Sequence, residues 1–158
     1  MFIWANLPIF DIEIKTETKM EKILIGGQAL RELGSNRYTN DTDYLICNPA
    51  DRRTFIHETE NVDIINGGGC APFARFFKNV FNAEKGNAIA SPQSLLDLKA
   101  YAYIQHVKNG NGQKADDAEF DIKFLVRTFG VNELKLVVDF LTPSERNTVN
   151  SIISSTIK

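Results

Sequence analysis

The sequence predicts an α+β fold, in which a small mixed β-sheet is followed by a C-terminal helical bundle. Two observations indicate this class. Up to about residue 90, short apolar or alternating stretches are separated by Gly, Asn and Pro, which is typical of strands joined by turns. From Ser91-Pro92 onward, apolar residues recur at helical spacing. We therefore expect an α/β core over residues 1–90 and a helical half over residues 91–158, packed as one compact unit.

The first half of the chain alternates between short strands and turns. Residues 10–15 alternate apolar and charged side chains, so residues 1–19 are expected to form either a supporting edge strand or an optional extension. The elements predicted after this arm are a strand over 22–25, a helix over 27–34 ended by Gly34, a strand over 41–47 broken by Asn48-Pro49, a short helix in the polar segment with Arg52, Arg53 and His57, and a strand over 61–65.

Capping signals mark the helices of the second half. Ser91 is the expected N-cap of the first helix, with Pro92 at its first position. Gly130 is placed to end the second helix, and Thr142 and Glu145 have the spacing of a capping box at the start of the last. The predicted helices cover residues 92–107, 116–129, 132–140 and 143–157.

The composition is that of an ordinary globular protein. Hydrophobic residues make up 43% of the chain and charged residues 24%, which is enough apolar material for a buried core. A net charge of −2 provides no global basic field for nucleic acid, although a local basic patch is compatible with it. There is no apolar run of about 20 residues, and the first residues lack the features of a signal peptide. We therefore expect a cytoplasmic protein that has no membrane partner.

An acidic strand after a glycine turn is the most informative local pattern. Asp41 and Asp43 lie two positions apart, so on a strand both carboxylates project from the same face. Such a pair is repulsive unless a cation lies between its members, and Mg²⁺ binds one or two carboxylates together with substrate phosphates. The Gly26-Gly27 turn before a helix can present backbone N–H groups to those phosphates. The two parts together predict a triphosphate site that faces a metal-binding carboxylate pair.

Each part alone has a simpler interpretation. An isolated Asp-x-Asp is most often a solvated strand entry, and a Gly pair is often only a tight turn. The chain lacks both Gly-x-Gly-x-x-Gly and Gly-Lys-Ser/Thr, which disfavours a dinucleotide-binding or Walker-type site.

Four motifs together resemble the nucleotidyltransferase superfamily, which has the polymerase-beta-like fold. Within it, the chain is most similar to the small AbiEii/MenT-like stand-alone nucleotidyltransferases, over roughly residues 21–126. The motifs are Gly26-Gly27-x-Ala29-Leu30, Arg37-x-Thr39-x-Asp41-x-Asp43-Tyr44, Ser91-Pro92-x-x-Leu95-x-x-Leu98-Lys99 and Asp117-x-x-x-Asp121-Ile122.

The resemblance implies a role for several acidic and basic side chains. Asp41 and Asp43, with Asp63 as a third carboxylate on a neighbouring strand, would bind two Mg²⁺ or Mn²⁺ ions, and Asp63 would act as general base toward the attacking hydroxyl. Lys99 would neutralise charge on the leaving pyrophosphate while Asp121 holds it in place. Simpler alternatives stay open: Asp63 as a strand-entry residue bonded to a turn, and Lys99 as a solvated helix residue.

Several other residues are candidate phosphate ligands. Gln28 and Arg31 lie in the first turns of the helix after the glycine pair, and Arg37 and Thr39 precede the acidic strand. The Arg37 guanidinium can pair with phosphate in a bidentate way, or it can serve as a structural ion-pair partner.

The remaining reactive or aromatic residues have structural interpretations. His57 and His106 have no partner at metal-ligand spacing and are expected to be incidental. Cys47 is expected to be a small buried hydrophobe, and the two cysteines fit neither a disulfide framework nor a zinc motif. An aromatic cluster with Arg75 and Lys78 is explained better by core packing than by base stacking, and it contains Phe73, Phe76, Phe77 and Phe81.

The function expected from the resemblance is the transfer of a nucleoside monophosphate from a nucleoside triphosphate to an acceptor hydroxyl, with release of pyrophosphate. The acceptor is left open between a tRNA end, a protein hydroxyl and a small molecule such as an aminoglycoside. The resemblance also implies a toxin–antitoxin or phage-defence setting. The alternatives are a non-catalytic binding or regulatory module with the same fold, and a protein whose helical half forms an interface with a second copy or a cognate partner.

Overall fold

The computed structural model describes residues 20–157, so the strand predicted over residues 10–15 and the arm of residues 1–19 lie outside the described part. The α+β class is confirmed. The strands are β1 (Ile23–Ile25), β2 (Thr42–Ile46), β3 (Phe55–Thr59) and β4 (Val62–Asn66). The helices are α1 (Gly26–Glu32), α2 (Ala74–Ala83), α3 (Pro92–Lys108), α4 (Gly112–Phe129) and α5 (Pro143–Ile157), with a 3₁₀ turn at Val138–Phe140.

The four strands form one mixed sheet in the order β1-β2-β4-β3. The central strands β2 and β4 are parallel, and each outer strand is antiparallel to its neighbour. In this register Ile25 lies beside Asp43, and Asp43 lies beside Asp63. Paired residues of neighbouring strands project from the same face, so the sheet carries the Asp43 and Asp63 side chains side by side.

One hydrophobic core joins the sheet to the helices. Its buried members include Leu45 of β2, Phe76 of α2, Leu95 of α3, Ile122 of α4 and Val149 of α5, all fully buried. Because each of these side chains removes apolar surface from water, the helical half and the sheet stabilise one another.

Most of the predicted boundaries agree with the structure to within one or two residues. The Ser91 hydroxyl accepts a hydrogen bond from the Ser94 N–H at the start of α3, as an N-cap does. Thr142 and Glu145 form the reciprocal bonds of a capping box before α5, with N···O distances of 2.9 and 3.1 Å. Helix α4 begins four residues before the prediction, at Gly112.

The polar segment after β2 is not a helix, which corrects the sequence prediction. Residues 55–59, including His57, form edge strand β3, and Arg52 and Arg53 lie in the irregular segment before it. The segment pairs antiparallel with β4 through a tight turn at residues 60–61. Phe55, Ile56 and Thr59 are of residue types that favour strands, and pairing with β4 outweighs the local polarity that suggested a helix.

The helix predicted over residues 132–140 is also absent, apart from the 3₁₀ turn at its end. The buried Asp97 carboxylate of α3 accepts hydrogen bonds from the backbone N–H groups of Lys135 and Val137, at 2.9 and 3.2 Å. The Gln93 side chain donates to the Glu133 carbonyl at 2.9 Å. The backbone groups that a helix would pair internally are therefore bonded to α3.

The aromatic cluster forms helix α2, which the sequence prediction did not include as an element. Phe76, Phe77 and Phe81 are buried in the core, which confirms the packing interpretation, while Arg75 and Lys78 are exposed. Along residues 20–157, no helix combines the length and apolar character needed to cross a membrane.

Candidate functional site

Asp43 lies at the centre of the predicted site. It is the second residue of β2, between β1 and β4, and its side chain is partly buried. Within residues 20–157 its carboxylate takes part in no salt bridge and accepts no hydrogen bond, and only burial and nearby charges affect its protonation. A carboxylate held in this way has its lone pairs free to bind a cation.

Burial raises the pKa of Asp43 to about 6 from its ordinary value of 3.8. The ammonium group of Lys99 opposes this shift, whereas the charges of Asp63 and Asp41 reinforce it. The carboxylate is thus poorly compensated by the protein itself. Added positive charge would stabilise its ionised form.

Gly26 is required by the close approach of the α1 turn to Asp43. Its φ angle is +72°, and a Cβ atom placed on it would lie 2.3 Å from Asp43 Oδ2. Any other side chain would therefore be strained in the backbone and would also displace the carboxylate. Gly27 packs in the same way against Thr39, where a Cβ atom would lie 2.9 Å from Cγ2.

Asp121 of α4 is fully buried and is shared by two cations. Arg37 donates to it from Nε at 2.8 Å and from Nη2 at 2.7 Å, a bidentate pair. Lys99 of α3 places Nζ 2.9 Å from Asp121 Oδ2. The hydrogen bond to Asp121 raises the pKa of Arg37 above its ordinary value despite partial burial. Arg37 thus has an ion-pair partner in the protein, and Lys99 is held between Asp121 and the charge of Asp43.

The other predicted phosphate ligands are bonded to the loop before β2. The Gln28 amide donates to the Thr39 carbonyl, and Arg31 Nη1 donates to the Arg37 carbonyl, both at 3.3 Å. These two side chains of α1 therefore support the segment that carries Arg37 and Thr39. Direct contact of Gln28, Arg31 or Thr39 with a phosphate stays a prediction.

Asp63 of β4 has a partner that the sequence prediction treated as incidental. His57 Nδ1 lies 2.7 Å from Asp63 Oδ1, and the two residues are directly opposite each other on β3 and β4. His106 is separate from this pair and lies on α3 beside Lys99, where burial lowers the pKa of its imidazole.

Asp41 lies just before the first residue of β2 and is exposed. Its charge reaches Asp43, but Asp41, Asp43 and Asp63 do not form a compact three-ligand group, and no such group of His, Cys, Asp and Glu occurs anywhere in residues 20–157. The donors nevertheless fit Mg²⁺ or Mn²⁺, because a hard ion in a phosphate site is typically bound through only one or two protein carboxylates. The Asp43–Asp63 pair meets that requirement.

A cleft of about 320 Å³ opens beside these residues, between the sheet and α3. Its polar lining comes from Asp43, Lys99, Gln105 and His106. Its apolar lining includes three aromatic rings, those of Phe55, Phe77 and Tyr101. Phe55 is 57% exposed. The cleft thus combines charged groups with an aromatic surface.

A second concavity, of about 820 Å³, lies after the carboxyl ends of β2 and β4. Cys47, Cys70, Arg75 and Lys78 line it, together with the glycines of residues 67–69. Cys47 is only partly buried there. None of the predicted site residues contributes to this concavity, so the smaller cleft is the better candidate despite its size.

Sequence reasoning missed several contributors to the site. His57 and Phe55 were hidden because β3 was not recognised, although Phe55 and His57 have the alternation of a strand opposite the strand of Asp63. Gln105 enters the cleft only through the packing of α3 on the sheet. Lys114, near the start of α4, lowers the pKa of Asp43 from outside the motifs.

Comparisons of this chain with protein-family models, with curated proteins and with solved structures gave no match.

Proposed function

We propose that this protein is a metal-dependent nucleotidyltransferase, which transfers a nucleoside monophosphate from a nucleoside triphosphate to an acceptor hydroxyl. The observation that carries the proposal is the cleft in which the partly buried Asp43 carboxylate, which has no salt-bridge partner within residues 20–157, lines one space with Lys99 and aromatic rings. A carboxylate, a cationic side chain and aromatic rings suit the cation, the phosphates and the base of a metal-bound nucleotide. We further propose that the mixed sheet has the nucleotidyltransferase topology.

Asp43 and Asp63 would hold Mg²⁺ or Mn²⁺, with Asp41 at the exposed edge of the site. A bound cation of this kind supplies Lewis-acid stabilisation of phosphate charge and orients the reacting oxygens. The raised pKa of Asp43 supports this assignment, because an ionised carboxylate that folding leaves uncompensated gains most from a cation.

Lys99 would stabilise the negative charge that develops on the leaving pyrophosphate. Its side chain is 15% exposed and is held by Asp121 at 2.9 Å, so its ammonium group is already positioned before the substrate binds. Preorganised charge of this kind is effective in catalysis because little reorganisation is needed during the reaction. Arg37 acts through Asp121 and keeps its carboxylate oriented.

Asp63 would accept the proton of the acceptor hydroxyl. As that O–H bond breaks, the hydroxyl oxygen forms a bond to the α-phosphorus, and the bond from the α-phosphorus to the bridging oxygen of pyrophosphate breaks. The Asp63 side chain is 47% exposed, which lets the proton pass on to solvent. Asp43 and Asp63 lie side by side on the sheet, which supports a shared cation beside which Asp63 also acts as the base.

The glycine turn and the loop before β2 would shape the phosphate region. Gly26 and Gly27 permit the close packing of α1 on Asp43 and Thr39, and Gln28 and Arg31 hold the loop in place. The proposal rests on the cleft rather than on the start of α1, since that helix has only seven residues.

Calorimetric titration with each nucleoside triphosphate, in the presence of Mg²⁺ and in the presence of EDTA, tests the proposal without knowledge of the acceptor. The proteins are the wild type, Asp43→Asn, and the matched control Asp139→Asn, which makes the same chemical change at an exposed position away from the cleft. We expect binding that requires Mg²⁺, is lost in Asp43→Asn and is retained in the control.

Absence of binding by the folded wild type, or equal binding by wild type and Asp43→Asn, would overturn the proposal. The first result would favour an interaction module that has the same fold. Binding would be followed by incubation with α-phosphate-labelled nucleotide and tRNA, protein or aminoglycoside, to find which acceptor takes up the label. A cytoplasmic toxin–antitoxin or phage-defence setting is part of the proposal and rests on the resemblance of the motifs.

A further inference from the structure

The contact between His57 and Asp63 is not explained by fold stability. The two side chains are 69% and 47% exposed, and they join β3 and β4, the last two strands of the described sheet. Polar pairs that are this exposed contribute little to stability, because water screens them and because ordering the side chains costs entropy. The Nδ1···Oδ1 distance of 2.7 Å is nevertheless that of a well-formed hydrogen bond.

The backbone places the two residues with little freedom. His57 and Asp63 are cross-strand partners in the antiparallel β3–β4 pair, and the register becomes irregular immediately after His57. On the other side, Asp63 is the in-register neighbour of Asp43 across the parallel β2–β4 pair. His57, Asp63 and Asp43 therefore form one row across three strands, in that order.

A hydrogen bond to only one oxygen of a carboxylate orients the other oxygen. His57 Nδ1 lies within hydrogen-bonding distance of Asp63 Oδ1, so Oδ1 is engaged, whereas Oδ2 has no hydrogen-bond donor in residues 20–157. Carboxylates that bind metal ions are usually held by such a hydrogen bond, and loss of the partner typically reduces metal affinity or activity by about 10- to 100-fold.

We propose that His57 is a positioning residue for Asp63, which it orients through Nδ1–H so that the free carboxylate oxygen faces the cation and the acceptor hydroxyl. This inference rests on the proposed function. In the transfer step the acceptor proton goes to Asp63, while the Nδ1–H of His57 stays on the ring and the hydrogen bond between them is retained. His57 itself touches neither the nucleotide nor the acceptor.

The first part of the test reads the hydrogen bond directly. Nitrogen NMR of the imidazole rings distinguishes which ring nitrogen carries the proton, and His57→Ala identifies the His57 signals against those of His106. We expect the Nδ1–H form of His57 in the wild type and its loss in Asp63→Ala. An Nε2–H form in the wild type, or no change in Asp63→Ala, would overturn the proposal.

The second part measures metal binding in place of turnover. Electron paramagnetic resonance of free Mn²⁺ gives the affinity for Mn²⁺ in the presence of saturating nucleoside triphosphate. We expect His57→Ala to weaken that affinity about tenfold. His57→Asn is expected to restore most of it, because the Asn side-chain N–H occupies the place of Nδ1–H. Glu58→Ala, an exposed change at the next position of β3, is expected to match the wild type.

Equal Mn²⁺ affinity in His57→Ala and the wild type would overturn the proposal, and so would an Asn variant as weak as the Ala variant. Unfolding midpoints of all variants exclude a general loss of structure. Failure of the proposed function gives a different result, namely a folded wild type that binds neither Mn²⁺ nor nucleotide, and it overturns this inference together with that function.

Discussion

Asp43 shows at the scale of a single residue how a binding group is maintained at a cost to the fold. Its pKa of about 6 lies above the ordinary value of 3.8, so between these two values the folded protein binds a proton more tightly than the unfolded chain does. The stability contributed by protonated Asp43 is present below about pH 4 and is lost as the pH rises through about 6. At neutral pH the ionised carboxylate is therefore destabilising in the metal-free protein.

We predict that Asp43→Asn stabilises the metal-free protein at pH 7 by about 1 to 2 kcal/mol, since a full shift of this size corresponds to about 3 kcal/mol and partial exposure reduces it. The difference in unfolding free energy between Asp43→Asn and the wild type should shrink toward zero at about pH 4. Urea unfolding in EDTA at a series of pH values measures this difference, with Asp139→Asn as the control that should stay close to the wild type. A less stable Asp43→Asn at pH 7 would contradict the prediction.

Gly26 is a second single residue on which the local structure depends, because both its backbone angle and its surroundings exclude a side chain. We predict that Gly26→Ala destabilises the protein by about 2 to 4 kcal/mol, the sum of strain at positive φ and displacement of the Asp43 carboxylate. Gly34→Ala is the matched control, because Gly34 also has a positive φ but a Cβ atom there would contact nothing within 4 Å.

Urea unfolding compares the two glycine variants. The control is expected to lose about 1 kcal/mol, from backbone strain alone. Equal losses in the two variants would show that the approach of Gly26 to Asp43 has no energetic consequence.

At the scale of elements, the buried Asp121 carboxylate joins three parts of the chain that are distant in sequence. It connects α4 to α3 through Lys99 and to the loop before β2 through Arg37. Each bond satisfies a charge that burial would otherwise penalise, so this ion cluster determines where α4 lies relative to the acidic strand.

We predict that Asp121→Ala destabilises the protein by about 3 to 5 kcal/mol, because two partly buried cations lose their partner. Asp117→Ala is the control on the same helix face. Asp117 lies 3.7 Å from Arg37 and its side chain is 39% exposed. Its removal should cost less than about 1 kcal/mol. Thermal or urea unfolding measures the stability of the two variants. Comparable losses of stability in both would show that the effect belongs to the helix surface as a whole and not to the buried Asp121 carboxylate.

The whole molecule is organised around the core that the sheet and the helices share. Because Leu45, Phe76, Leu95, Ile122 and Val149 belong to one buried cluster, neither half buries its apolar face without the other. We therefore expect residues 20–90 and 91–157 to unfold as one cooperative unit rather than as two domains.

We predict a single urea transition, with the same midpoint for far-UV circular dichroism, which reports on the helices, and for amide exchange in β2 and β4. Leu95→Ala should lower both midpoints equally and cost about 3 to 5 kcal/mol, since it leaves a cavity at the centre of the core. Separate midpoints for helices and sheet would show that the halves are independent domains.

Local chemistry explains which elements were predictable. The caps at Ser91, Thr142 and Gly130 depend on bonds and angles within a few residues. Strand β3 and the irregular segment before the 3₁₀ turn depend on partners elsewhere in the chain. Pairing with β4 makes β3 a strand, and Asp97 takes the backbone N–H groups of Lys135 and Val137.

The sequence by itself determined the class of the fold and most helix boundaries, and it identified the acidic and glycine residues as candidates for the site. Each of these follows from patterns that the chain carries locally. Only the tertiary structure decided which side chains meet. The register of β2 with β4 brings Asp43 beside Asp63, the β3–β4 pair adds His57, and the packing of α3 and α4 brings Lys99 and Arg37 to Asp121. The physical reason is that strand register and helix packing depend on contacts between residues far apart in the chain, and no local pattern encodes those contacts.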